Sequence, residues 1–216
     1  MKIAHPVLLS TAYFAPVRFY TKTILFQQVY IEQFENFTKQ TYRNRCEIMG
    51  ANGITDLIVP VVKGRNSKKL IKDVRLSYDI PWQKNHWRTI FSAYNSSPFF
   101  EYFKDDIRPF FEKKWKYLLD MNLAIHDEIC NLLEIENNML LTQNFESVPS
   151  DSVNLREALS PKKHRRMQDN FFKPYNYTQV FAEKFGFMTD LSIIDLLFNE
   201  GPNSYNILVS SIINTN

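Results

Sequence analysis

The sequence predicts an α/β protein, with α+β as the neighbouring class: an N-terminal mixed sheet built from a βαβ start and a hairpin, followed by a helical C-terminal half. Three observations carry this. Short apolar runs of period two precede Pro81, amphipathic stripes with a period near 3.6 follow it, and Asn52-Gly53 separates two extended runs.

Residues 7–13, Val-Leu-Leu-Ser-Thr-Ala-Tyr, read as a buried strand, and Pro16 stands where the first turn of a following helix would be. That helix is expected over 17–26, with a second strand over 28–34 parallel to the first. Residues 42–62 read as a β-hairpin turning at Gly50-Ala51-Asn52-Gly53, and the alternation over 70–78 predicts a further strand near a sheet edge. After Pro81, prolines 98 and 109 divide successive helical pieces. The clearest stripe is Phe111, Trp115, Leu118, Asn122, Ile125, Ile129 and Leu132, spaced four and three in turn. Residues 191–198 predict a last helix, with Thr189 or Asp190 as N-cap and Gly201-Pro202 as its stop.

This organisation gives a main α/β domain over 1–136, a polar connecting or mobile segment over 137–170, and a helical, aromatic extension over 171–216 that packs on the main domain. A length of 216 residues fits one large domain with a small lobe. The 18 Phe, 11 Tyr and 3 Trp require an interior filled by large rigid side chains.

Five dispersed glycines exclude a GxGxxG or Walker A phosphate loop. CxxC, HExxH and GxSxG are also absent, and the four histidines never fall at zinc-ligand spacing, so no metal site and no particular cofactor are read from the chain. Two distant cysteines fit a reducing compartment, and no apolar run approaches the roughly 18 residues of a membrane span, so a cytoplasmic location is expected. The basic cluster at 162–166 is one short patch on a chain of net charge +3, and nucleic acid is not an expected partner.

Several residues could carry chemistry. The loop around Tyr13 follows a strand and faces a helix N-terminus, where open α/β sheets bind ligands; the alternative is that its aromatics belong to the core. Arg43 and Arg45 share one side of an extended segment and could clamp an anion, while Asn44 and Cys46 share the other; the alternative is an exposed basic strand over a buried, inert thiol. Asn122 interrupts an apolar stripe, either as a ligand-facing amide or as a satisfied core amide. His86, beside Trp87 and Arg88, is the candidate general base, because imidazole titrates near working pH, and the alternative is a helix-surface histidine. Cys46 is a nucleophile candidate without an identifiable base beside it.

Blocks spread in order over most of the chain resemble the WbqC-like protein family of bacteria: Tyr13-Phe14-Ala15-Pro16 with Phe19-Tyr20; Lys39-Gln40-Thr41-Tyr42-Arg43-Asn44-Arg45-Cys46-Glu47-Ile48 running on to Leu57-Ile58-Val59-Pro60-Val61; Trp82 with His86; Tyr94-Asn95-Ser96-Ser97-Pro98; Leu118-Leu119-Asp120-Met121-Asn122; and the stretch from Leu191 to Pro202. The sequence departs from that pattern where His-Gln-Pro is expected and Ser10-Thr11-Ala12 stands. The resemblance implies a group-transfer enzyme adding an acyl or aminoacyl group to a sugar precursor in surface-polysaccharide (O-antigen) biosynthesis, with that small molecule as its partner. A non-catalytic binding or scaffold protein of the same pathway and a nucleotidyltransferase-like activity are the alternatives.

Overall fold

A computed structural model describes residues 2–62, 69–145, 152–161 and 168–213; the basic cluster at 162–166 lies outside them. The α/β expectation holds. The N-terminal strand β1 (Val7–Leu9), helix α1 (Val17–Leu25) and strand β2 (Val29–Ile31) form the expected βαβ unit, with Val7 opposite Val29 and Leu9 opposite Ile31 in parallel register. Strands β3 (Arg45–Gly50) and β4 (Gly53–Ile58) form the hairpin as a separate antiparallel sheet. Gly50 pairs with Gly53, so the turn lies over Gly50-Ala51-Asn52-Gly53 as expected, with Ala51-Asn52 as its two central residues. Gly53 sits there at φ 109°, in the region a side chain disfavours.

The main sheet has the order β5-β2-β1-β6 and is parallel throughout. Its outer strands, β5 (Met139–Leu141) and β6 (Val153–Asn154), lie within the segment read as a connection. They are three and two residues long, too short for an alternating pattern to register.

Two elements differ from expectation. Residues 70–78 form no strand: a 3₁₀ turn at Ile71–Asp73 is followed by single bridges from Leu76 to Val61 and from Arg75 to Tyr117. The alternation there reflects burial of Val74 and Leu76, with Ile71 buried out of phase, while the backbone hydrogen bonds go to several different segments. The stripe beginning at Phe111 becomes helical only at α4 (Leu118–Leu132), because residues 113–117 are drawn into an irregular ribbon beside Arg75 and Tyr78. Phe111 ends a 3₁₀ turn at Arg108–Phe111.

Helices α2 (Trp82–Tyr94) and α3 (Phe100–Ile107) cover the hairpin and the C-terminal helices, and α5 (Ala182–Phe185), α6 (Ile193–Glu200) and α7 (Ser204–Ser210) complete the chain. Trp82, Tyr13, Tyr20, Tyr94, Phe14, Phe19, Phe26, Phe100 and Phe198 are among the largest fully buried side chains, which accounts for the aromatic composition. No helix among the described residues is long and apolar enough to cross a membrane.

Helix α6 stops where the sequence predicts. Gly201 turns the chain at φ 53°, and a Cβ added there would clash with one edge of the Phe99 ring. Gly201→Ala therefore combines left-handed strain with overpacking and is expected to destabilise by about 2–4 kcal/mol. A melting temperature equal to the parent's would show that the α6–α7 junction can shift away from Phe99.

Candidate functional site

The C-terminal ends of the parallel strands converge on polar side chains. Strand β1 leads into Ser10-Thr11-Ala12-Tyr13, β2 into Glu32 and β5 into Thr142; the Glu32 amide donates to the Leu9 carbonyl at 3.0 Å and the Thr142 amide to the Ile31 carbonyl at 3.1 Å. This is where an open α/β sheet offers a crevice. Ser10, Thr11, Glu32, Glu35 and Thr142 are all buried here.

The loop after β1 meets most of the residues singled out from the sequence. Arg43 donates from Nε and Nη2 to the two carboxylate oxygens of Glu35 at 2.7 and 2.6 Å, and from Nη2 to Ser10 Oγ at 2.7 Å. Asn122 Nδ2 donates to Thr11 Oγ1 at 3.1 Å and to the Arg43 carbonyl at 2.9 Å. The Tyr13 hydroxyl lies 3.0 Å from His86 Nδ1, and the Tyr13 amide donates to the Tyr42 carbonyl at 2.8 Å. Asn44 Nδ2 donates to the Val59 carbonyl at 2.9 Å, tying the start of β3 to the end of β4.

Arg43 and Arg45 do not share a face. Arg43 precedes β3 and turns inward, whereas Arg45 opens the strand and pairs with Asp56 at 3.1 Å and Glu47 at 3.5 Å. Asn44 and Cys46 are both buried, as the alternation predicts. His86 is buried against Trp82 and Tyr13, not on the helix surface. Burial lowers its pKa to about 4, against the opposing pull of the Ile58 carbonyl, so the ring is neutral at physiological pH. Burial pushes the Cys46 thiol far up, more than the Ser192 hydroxyl lowers it. A thiol held protonated is a poor nucleophile.

The N-terminus of α1, which the loop around Tyr13 leads into, holds a carboxylate of the chain itself. Asp190 accepts from the Arg18 amide at 3.1 Å and pairs with the Arg18 guanidinium. The backbone around it is interlocked: the Val17 amide donates to Leu191 O, the Ile193 amide to Ala15 O, and Ser192 Oγ to Phe14 O at 2.7 Å. Both sides of this junction are strained, with Phe14 at φ 37° and Asp190 at φ 61°. Ser192, not Thr189 or Asp190, is the N-cap of α6, and its hydroxyl is directed to Phe14 and does not cap the helix.

Three acceptor oxygens in this region are buried without a partner: Glu32 Oε2, Asn44 Oδ1 and Asn122 Oδ1. Beside Asn122 lies a small cavity of about 10 Å³, lined by Thr11, Tyr20, His126 and Met139 among others, with room for one water-sized molecule. Burial holds His126 near pKa 4, and its Nε2 lies 3.2 Å from Cys130 Sγ. Among the described residues, no three His, Cys, Asp or Glu side chains gather to hold a metal ion.

The profile of the WbqC-like protein family matches residues 12–163, a span that contains every candidate residue from Tyr13 to Asn122. The chain belongs to the WbqC-like protein family. Its similarity extends beyond that span: an uncharacterized protein of Mycobacterium tuberculosis (strain ATCC 25618 / H37Rv), Rv1507c, is 25% identical over 217 residues, covering 89% of each chain. No solved structure matches. In this WbqC-like chain, Ser10 is part of the polar network and bonds Arg43 and Glu35.

Sequence reasoning missed Ser10, Thr11, Glu32 and Glu35 as members of this cluster. Glu32 carries a readable signal, since it ends the apolar run Val29-Tyr30-Ile31 at the C-terminal side of a parallel strand. The Glu35–Arg43 pair has none, because only the fold brings the two side chains together.

Proposed function

We propose that this WbqC-like protein is a group-transfer enzyme that adds an acyl or aminoacyl group to a sugar precursor of bacterial surface polysaccharide, with its site at the C-terminal ends of β1 and β2. One observation carries the reading: Glu32 Oε2, which follows β2, Asn44 Oδ1, which precedes β3, and Asn122 Oδ1, whose amide bonds the loop after β1, are buried acceptors without donors. A buried acceptor left unpaired costs about 1–3 kcal/mol, and a ligand rich in donors removes that cost. Sugar hydroxyls and the ammonium of an aminoacyl group are such donors. In this reading Asn44 and Asn122 fix the ligand, and the attacking hydroxyl passes its proton through the Tyr13 hydroxyl to Nδ1 of neutral His86 while the acyl group leaves an activated thioester carrier, whose thiolate takes up that proton. Arg43 holds the loop through Glu35 and Ser10 instead of clamping an anion, and Arg45 and Cys46 have no part in the transfer. A ligand of sugar size needs the small cavity beside Asn122 to widen.

A non-catalytic binding protein is the second reading, favoured by the internal hydrogen bonds that already engage Tyr13, Arg43, Asn44, His86 and Asn122. A thermal-shift screen against nucleotide sugars, sugar phosphates and acyl-CoAs tests both. A ligand at a hundred times its Kd stabilises by about 2.7 kcal/mol, which raises the melting temperature by roughly 5–10 °C for a chain of this size. The shift is expected to be lost in Asn122→Leu. Silence from all three ligand classes would defeat both readings, and a shift without product when donor and acceptor are combined would favour the binding protein.

A further inference from the structure

A second surface, remote from the buried cluster in its chemistry, is cationic and aromatic. Residues 113–117, Lys-Lys-Trp-Lys-Tyr, form a ribbon fixed along residues 74–78: the Leu76 amide donates to Lys116 O at 3.2 Å, and the Leu118 amide donates to Val74 O at 2.9 Å. The Tyr78 hydroxyl donates to Trp115 O at 3.0 Å and accepts from the Trp115 amide at 2.7 Å. Each ring on the ribbon carries a cation. Lys113 Nζ lies 4.2 Å from the Trp115 ring centre, Lys114 Nζ 5.6 Å from Tyr78, and Lys116 Nζ and Arg75 Cζ 5.1 and 5.8 Å from Tyr117.

Among the described residues, no carboxylate pairs with Arg75, Lys113, Lys114 or Lys116. The neighbouring acids are occupied or displaced: Glu112 pairs with Arg108, Asp79 accepts from Ser77, Asp73 lies 4.0 Å from Lys72, and Asp120 is on the first turn of α4. The positive field is felt by Tyr117, whose pKa is lowered by its hydrogen bond to Arg75 and by the Lys116 charge. Arg75, Lys113, Lys114 and Lys116 are exposed, and Trp115 and Tyr117 are half-buried.

We propose that this ribbon is a peripheral docking surface for an anionic phospholipid bilayer. Lipid phosphates complement the four unpaired cations, and half-buried Trp and Tyr rings set among lysines suit the headgroup region. Single-stranded nucleic acid fits less well, because bases need free ring faces to stack on. Here the rings already carry their own cations, and Trp115 also stacks on Phe110 at 6.2 Å. The inference goes beyond the proposed group transfer and stands without it.

The test is co-sedimentation of the full chain with phosphatidylcholine vesicles, with and without phosphatidylglycerol. Binding is expected only with the anionic lipid and is expected to fall with salt. Each cation near the surface is worth roughly a fivefold change in partitioning, so Lys113→Gln/Lys114→Gln/Lys116→Gln is expected to lose on the order of a hundredfold. The control Lys104→Gln/Lys173→Gln/Lys184→Gln has the same net charge and is expected to bind like the parent, with both variants checked for native melting. Equal binding to neutral vesicles, no binding to anionic ones, or an equal loss in the control would overturn the proposal. Binding of a single-stranded oligonucleotide through Lys113, Lys114 and Lys116 without vesicle binding would also overturn it and assign the surface to nucleic acid.

Discussion

Replacing Glu35 by leucine while Arg43 stays in place is expected to destabilise the protein by about 3–5 kcal/mol, because it strands a guanidinium in the interior. For a chain of this size that lowers the melting temperature by on the order of 10 °C. The pair is bidentate, both side chains are nine-tenths or more buried, and Ser10 is hydrogen-bonded to both. Removing both charges together, as Arg43→Met/Glu35→Leu, is expected to recover most of the loss, since the cost lies in leaving one charge unpaired. Additive losses in a double-mutant cycle, or a Glu35→Leu protein that melts like the parent, would show that the two charges are not coupled.

The second large effect is on pH dependence. His86 and His126 each fall from the ordinary value near 6.5 to about 4 on folding, in both cases chiefly through burial. Their folded-state pKa values are depressed, so between about pH 6.5 and pH 4 the unfolded chain binds more protons than the native one. Stability is therefore complete above about 6.5 and declines as the pH falls through that window, by up to about 3 kcal/mol per histidine. Asp195 works in the opposite sense. Burial raises its pKa despite hydrogen bonds from Tyr94, Tyr177 and Gln179, so the native state keeps a proton that the unfolded chain has released, and this offsets part of the histidine slope. Denaturant midpoints between pH 7 and pH 4 are expected to fall steeply in the parent and less steeply in His126→Gln. Parallel curves for the two proteins would mean that His126 titrates normally in the native state.

The fold was legible where local pattern and tertiary environment agree. The βαβ start, the hairpin and α2, α6 and the C-terminal part of the long stripe follow from periodicity and from Pro and Gly placement. Legibility failed where partners are remote or elements are minimal. Strands β5 and β6 are visible only through pairing with β2 and β1, and the alternation at 70–78 recorded burial without a partner strand. At the site, the buried polar residues Asn44, His86 and Asn122 stood out by type and pattern. Their surroundings did not: Ser10 and Asp190 act on partners far along the chain, and Glu35 meets Arg43 only through the turn that the fold imposes between them. The N-terminus of α1 favours negative charge, but nothing near it in sequence announces that Asp190 supplies that charge.

The interlocking of residues 14–17 with residues 190–193 has a consequence for synthesis. The segment that turns at Phe14 leaves the ribosome early, and the hydrogen-bonding groups that secure it arrive some 175 residues afterwards. Contacts so far apart slow folding. The buried phenylalanines and tyrosines of the nascent N-terminal half must therefore remain uncovered for most of elongation, and slowing translation is expected to increase the demand for chaperones.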